Sequence, residues 1–180
     1  VIGRIGQSGW MVILVTATDY LLHQEQWIEK LTERIPQVET IVHNVNGKRT
    51  NVILGPKNNI LYGDGTITDH IKDLRFTLSP HSFFQVNPEQ TTVLYDQALA
   101  YADLIGDETV IDAYCGTGTI SLFLAHKAKH VIGIEIVEPA IINARENAQR
   151  NGYDNTEFIA ADAAVEMPKL YKAGVRPDVI

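Results

Sequence analysis

Thr109-Val110-Ile111-Asp112-Ala113-Tyr114-Cys115-Gly116-Thr117-Gly118-Thr119 is the stretch on which the fold turns. Its first four residues form a β-favouring run that closes on a carboxylate, and a helical pattern follows over about 118–128. Glycines between a strand and a helix let the backbone approach a ligand closely, and the helix start offers free N–H groups. G-x-G alone is a weak signal. It departs from the dinucleotide fingerprint, because the third glycine of G-x-G-x-x-G would fall at Ser121. Working outward, a helix is predicted over about 88–105, a strand at His130–Glu135, a helix over about 138–151 and a strand at Thr156–Ile159. A short helix comes next, and Asp178-Val179-Ile180 opens a last strand. Apolar strands alternating with helices imply a parallel sheet with crossovers, so residues 81–180 read as about half of a doubly wound α/β domain.

Residues 1–80 read differently, as a small α+β domain. Gly9 to Ala17 is a continuous β-rich run, and Trp27, Ile28, Leu31 and Ile35 fall on one face of a helix from Gln24 to Arg34 that Pro36 ends. Val38–Val45 and Leu74–Leu78 are further strands; Asn46-Gly47 and Tyr62-Gly63-Asp64-Gly65 are turns. No chemical motif stands out here, since His23, His43 and His70 lack metal-ligand spacing. No metal site is expected anywhere in the chain.

Composition narrows the classes. With 180 residues, 45% hydrophobic and 21% charged, the chain is globular in type, not disordered or fibrous. A single cysteine, Cys115, rules out a disulfide framework, a multi-cysteine zinc cluster or a self-contained iron–sulfur site. No apolar run reaches the roughly 18 residues of a membrane span, and no basic leader precedes one; a cytoplasmic location without membrane partners is the expectation. Net charge is −7. Residues 1–80 balance at eight basic and eight acidic side chains, while 81–180 carry seven and fourteen. Bulk electrostatics therefore does not grip nucleic acid; a nucleic-acid partner would need a local basic patch or a basic module elsewhere. A start at Val1 without Met, and a finish one step into a strand, predict an excised piece of a longer protein.

Three features converge on one chemistry. The glycine turn lies at 112–119; Glu135 ends the next strand, where a carboxylate can accept both hydroxyls of a ribose; Asp162 follows the third strand, where an acid could read an adenine amino group. In that order they form the set expected of an S-adenosylmethionine site. Cys115 sits inside the turn without a suitably spaced histidine, so it reads as a small packing residue rather than a nucleophile. In His81-Ser82-Phe83-Phe84-Gln85-Val86-Asn87-Pro88, Asn87 is the expected helix cap ahead of proline. The Gln85 amide, with both a donor and an acceptor, suits the amino-acid end of the same cofactor.

Ser82-Phe83-Phe84-Gln85-Val86-Asn87, Asp112 to Gly118, and Gly133-Ile134-Glu135 with Pro139-Ala140-Ile141 resemble the RNA uracil-C5 methyltransferases, which make 5-methyluridine in transfer RNA and large-subunit ribosomal RNA. The resemblance covers about 80–180, and 1–80 are compatible with the family's central domain. It implies a Rossmann-like S-adenosylmethionine-dependent methyltransferase domain in which Gln85, Tyr114 and Glu135 contact the cofactor and Asp162 takes an adenine-side position. Thr119 stands where the family often has Asn, and that contact is not carried over. The partner implied is RNA rather than DNA, with 23S ribosomal RNA preferred to transfer RNA on the wording of 112–119. In the family a Cys adds to C6 of the uracil and a Glu removes the C5 proton; both are expected beyond residue 180, so no catalytic residue is assigned within this chain. Two other readings stay open: a methyltransferase acting on a small molecule or protein, and a nucleotide-binding domain without transfer chemistry.

Overall fold

A computed structural model describes all 180 residues, Val1–Ile180. They divide into two compact units: Val1–His70 with Thr77–His81, and Ile71–Phe76 with Ser82–Ile180. No helix is long and apolar enough to cross a membrane.

The first unit is built on a four-stranded sheet ordered β1 (Ile2–Ile5), β2 (Trp10–Thr16), β3 (Val38–Val45), β4 (Lys57–Tyr62). β2 and β3 are parallel, with Val12 opposite Ile41 and Leu14 opposite His43, and helix α1 (Gln24–Arg34) makes the crossover between them. The Ile28, Leu31 and Ile35 face of α1 packs on Val12, Leu14, Val38 and Ile41, as the helical spacing predicts, whereas Trp27, placed on that face by the same spacing, lies at its edge and stays exposed. β1 and β4 are antiparallel edges. Neither was legible in the sequence: Lys57-Asn58-Asn59 is poor strand material, and β3 recruits it through the ladder. A two-stranded hairpin, β5 (Ile67–Ile71) and β6 (Leu74–Leu78), follows, and its tip at 71–76 belongs to the second unit.

In the second unit, β7 (Thr109–Asp112), β8 (His130–Glu135) and β9 (Thr156–Ala160) form a parallel sheet in that order. Alternation along the strands sends side chains to both faces. Val110 and Val131 join Leu104, Leu124, Ala125 and Ala128 on one side, while Ile111, Ile132 and Ile134 meet Ala163 and the half-buried Met167 and Leu170 on the other. The helices are α2 (Pro88–Ala102), α3 (Thr119–Ala125), α4 (Glu138–Arg150) and α5 (Ala163–Lys172). α2 stops at Ala102 rather than 105 because Asp103 takes a left-handed conformation, φ 47°, which cannot continue the helix. The expected final strand is present only as a bridge: Val179 pairs in parallel with Val110 on the free side of β7. Strand order therefore reverses at β7, and the carboxyl end of β7 is the switch point at which open α/β sheets place ligands.

Candidate functional site

At the carboxyl end of β7 the chain enters the 113–118 turn. The Cys115 amide donates to the Ile134 carbonyl at 3.0 Å, which ties the turn to β8. Gly116 and Gly118 both have positive φ, 54° and 80°. Their surroundings differ: a Cβ on Gly118 would crowd Phe158 and Ala144 at 3.1–3.2 Å, whereas one on Gly116 would meet nothing within 4 Å. Gly118 is thus small for packing, and Gly116 leaves its backbone open to a ligand.

Glu135, half-buried at the end of β8, spans this turn and the start of the next segment. Its Oε2 accepts the Gly116 N–H at 3.3 Å and its Oε1 accepts the Val137 N–H at 2.9 Å. Two amides orient the carboxylate while each oxygen keeps a further lone-pair direction free. Exposed apolar groups border it: Tyr114 is 81% exposed, and Ile136 and Val137 are also exposed.

Gln85 reaches the same turn through an intermediary that sequence reasoning missed. Its side chain lies close enough to the Tyr95 hydroxyl of α2 to influence it electrostatically, and that hydroxyl lies 2.9 Å from Thr119 Oγ1 at the first turn of α3. Burial pushes the Tyr95 phenol up, so it stays neutral. Ser82 Oγ donates to Asn143 Oδ1 of α4 at 3.2 Å, and Asn87 Oδ1 accepts the Gln90 amide at 3.1 Å, capping α2 as predicted. The 82–87 segment is thereby held at both ends. A tyrosine in mid-helix reads as part of an apolar face; nothing nearby in the sequence marks its hydroxyl as a link to Thr119.

Asp112 closes β7 and accepts a 2.6 Å hydrogen bond from Ser121 Oγ. Burial raises its pKa, against the lowering effect of that bond. Ser121, which breaks the dinucleotide fingerprint, is fully buried as the partner of this carboxylate. Asp162 sits beside Glu135 along the sheet edge, since the Ala161 amide donates to the Glu135 carbonyl at 3.0 Å. Its Oδ1 accepts the Ala164 amide at 2.8 Å and caps α5. Gln85, Tyr114 and Glu135 are thus grouped around the 113–119 turn, and Asp162 stands one strand further along, one of its oxygens already engaged.

Cys115 is buried, 4% exposed, and a Cβ on Gly133 would lie 2.9 Å from its sulfur, so the thiol points into β8 rather than outward. Burial, then Asp112 and Glu135, push its pKa up. A thiol held protonated and enclosed is a poor nucleophile.

A glycine turn after the first strand of a half-built doubly wound sheet, with an acid ending the second strand, defines a Rossmann-like methyltransferase fold. Residues 106–180 match the family model described as a methyltransferase domain. Along its whole length the chain is homologous to bacterial RNA methyltransferases. It is 54% identical over 182 residues to an uncharacterized RNA methyltransferase of Halalkalibacterium halodurans, covering 100% of this chain and 40% of that one. It is also 54% identical over 170 residues to one of Oceanobacillus iheyensis, with 94% and 37% covered. Among solved structures it is similar to the Pyrococcus abyssi tRNA (uracil-54, C5)-methyltransferase in complex with S-adenosyl-L-homocysteine, with TM-score 0.71 and 26% identity over 88% of this chain and 38% of that one. The chain spans about 40% of the length of the curated relatives it matches.

Proposed function

We propose that this chain supplies the S-adenosylmethionine pocket of an enzyme that methylates C5 of a uridine in RNA. The observation that carries the reading is the Glu135 carboxylate, fixed by the Gly116 and Val137 amides beside an open glycine backbone. Its free lone pairs suit the two hydroxyls of a ribose, and the exposed Tyr114 and Val137 suit the flat adenosine half. Gln85, beside Tyr95, faces the amino-acid half. Asp162 keeps an oxygen for an adenine-side contact while capping α5. When bound, S-adenosylmethionine supplies a methyl group activated by a sulfonium.

C5 of uracil carries no lone pair, so in this mechanism a thiolate adds at C6 and shifts an electron pair to C5, which takes the methyl from the sulfonium; a base then removes the C5 proton, and the released pair re-forms the C5–C6 double bond and expels the thiolate. Cys115 is buried in the fold and unsuited to this. We place the nucleophilic Cys and the base beyond residue 180. Large-subunit ribosomal RNA is the substrate put forward, on the wording of residues 112–119. Transfer RNA is the second reading, favoured by the likeness to a tRNA methyltransferase.

The test uses the full-length protein with S-adenosylmethionine and RNA labelled with tritium at uridine C5. Methylation at C5 releases tritium to water, from 23S ribosomal RNA more than from transfer RNA on the preferred reading. Methyl incorporation without tritium release would place the chemistry on another atom.

A further inference from the structure

We infer that helix α1 of the first unit carries a contact site for single-stranded RNA, formed by Trp27 and, following it along one side of the helix, the cations Lys30 and Arg34. That the ligand is RNA rests on the function proposed above; the surface itself does not. Along the outer side of α1, His23, Trp27, Lys30 and Arg34 line a groove of about 350 Å³ floored by the half-buried Leu31 and Ile35. Trp27 is 45% exposed, although an indole of that size gains most by burial. Neither Lys30 nor Arg34 belongs to any ion pair of the structure.

The distribution of charge on α1 points the same way. Glu25, Glu29 and Glu33 fall on one stripe and Lys30 and Arg34 on another, about 120° round the helix. All these i,i+4 pairs are like-charged, and each costs an isolated helix a few tenths of a kcal/mol; interleaving the signs would have been attractive instead. Only Glu25 in the first turn, Arg34 in the last turn and the i,i+3 pair Lys30–Glu33 help the helix itself. The segregation also leaves a two-residue cationic stripe with an aromatic face beside it, within residues 1–80, where basic and acidic side chains number eight each. His23, at the mouth of the groove, is held in the left-handed conformation, φ 56°, sparsely populated by residues other than glycine. Cations alone would suit an acidic peptide equally well. The exposed indole at the N-terminal end of the same row selects a ligand that carries flat π-faces beside its anionic groups, which is an unpaired nucleic-acid strand. Lys30 and Arg34, about 6 Å apart along the axis, can each take a phosphate while a base stacks on Trp27.

The experiment measures binding of a fluorescein-labelled oligouridine, about 12 nucleotides long, to the full-length protein across a salt series. Trp27→Ala should weaken binding about tenfold, the loss of one stacked base, and Trp27→Phe should restore most of it. The Lys30→Ala/Arg34→Ala double variant should lower the slope of log K against log salt by about 1.4, two single-strand phosphates. S-adenosylmethionine affinity, measured on the same variants, should not change, because its proposed ligands lie in the second unit. Wild-type affinity and slope in both the Trp27→Ala and the double variant would overturn the inference. So would a wild-type protein that binds a polyglutamate peptide at this helix and no oligouridine. Failure of the wild type to bind S-adenosylmethionine would sink the methyltransferase reading and leave the oligouridine result to stand on its own. Trp27→Phe and the double variant keep the question answerable if Trp27→Ala does not fold.

Discussion

At Gly133 an added methyl would lie 2.6 Å from the Phe158 ring and 2.9 Å from the Cys115 sulfur. Gly133→Ala should therefore cost about 1–3 kcal/mol of unfolding free energy, measured by urea titration, as overpacking does in a filled core. A loss below about 0.5 kcal/mol would mean that Phe158 yields freely. The neighbouring thiol makes a prediction about pH. Burial raises the folded pKa of Cys115 above that of the unfolded chain, near 8.5, so above that pH the unfolded state releases a proton that the folded state keeps. Stability should fall as pH rises past about 8.5, with a slope of up to about 1.4 kcal/mol per unit from this group, and Cys115→Ser should remove that share. Equal slopes in the two proteins between about pH 8.5 and 10 would contradict it. In the full-length enzyme, Cys115→Ser should still form a covalent adduct with 5-fluorouracil RNA; loss of the adduct with folding intact would make Cys115 the nucleophile after all. That Cys115 is a packing residue was legible from its place in the turn and the absence of a spaced histidine. That its sulfur faces Gly133 depends on the pairing of β7 with β8, which sets Asp112 opposite Gly133, and on the Cys115 amide bond to Ile134, and no local pattern encodes it.

Among the elements, α2 does the most for the site. It is capped by Asn87, started by Pro88, and carries Tyr95 two turns on, where the hydroxyl bonds to Thr119 close to Gln85. Tyr95→Phe keeps the ring packed edge-on against Phe123, 5.2 Å between centroids, and removes only the hydroxyl. S-adenosylmethionine affinity should drop about five- to tenfold, one hydrogen bond's worth, with thermal stability falling by no more than about 1.5 kcal/mol. Unchanged affinity would reduce Tyr95 to a core residue. Strands and helices of the second unit were legible because apolar runs alternate with helical spacing. The start of α2 was legible because Asn-Pro is local chemistry. The end of α2 was not, since it turns on the left-handed Asp103, nor were the edge strands β1 and β4, whose pairing comes from β2 and β3 rather than from their own residues.

At the scale of the molecule, the second unit carries twice as many acidic as basic residues over 81–180, and the first has the segregated cations of α1. An adenosyl cofactor that is itself cationic at sulfur suits the acidic unit, where Asp112 and Glu135 stand at adjacent strand ends, and a polyanion suits the α1 stripe. Reversal of strand order at β7 puts the glycine turn at the carboxyl end of that strand, the position at which open α/β sheets seat ligands. The order of strand, turn and acid was readable from one chain because parallel α/β topology fixes where each strand end must lie. The Tyr95–Thr119 link and the α1 groove were not, because each joins residues whose meeting depends on tertiary packing or on exposure. Calorimetric titration of the full-length protein with S-adenosylmethionine, as wild type and as Glu135→Ala, tests the cofactor site most directly. The wild type should bind, and loss of the carboxylate proposed to hold the ribose should weaken affinity by about ten- to a hundredfold, the range of a charge-assisted hydrogen-bonded pair; equal affinity in a folded Glu135→Ala protein would contradict the account.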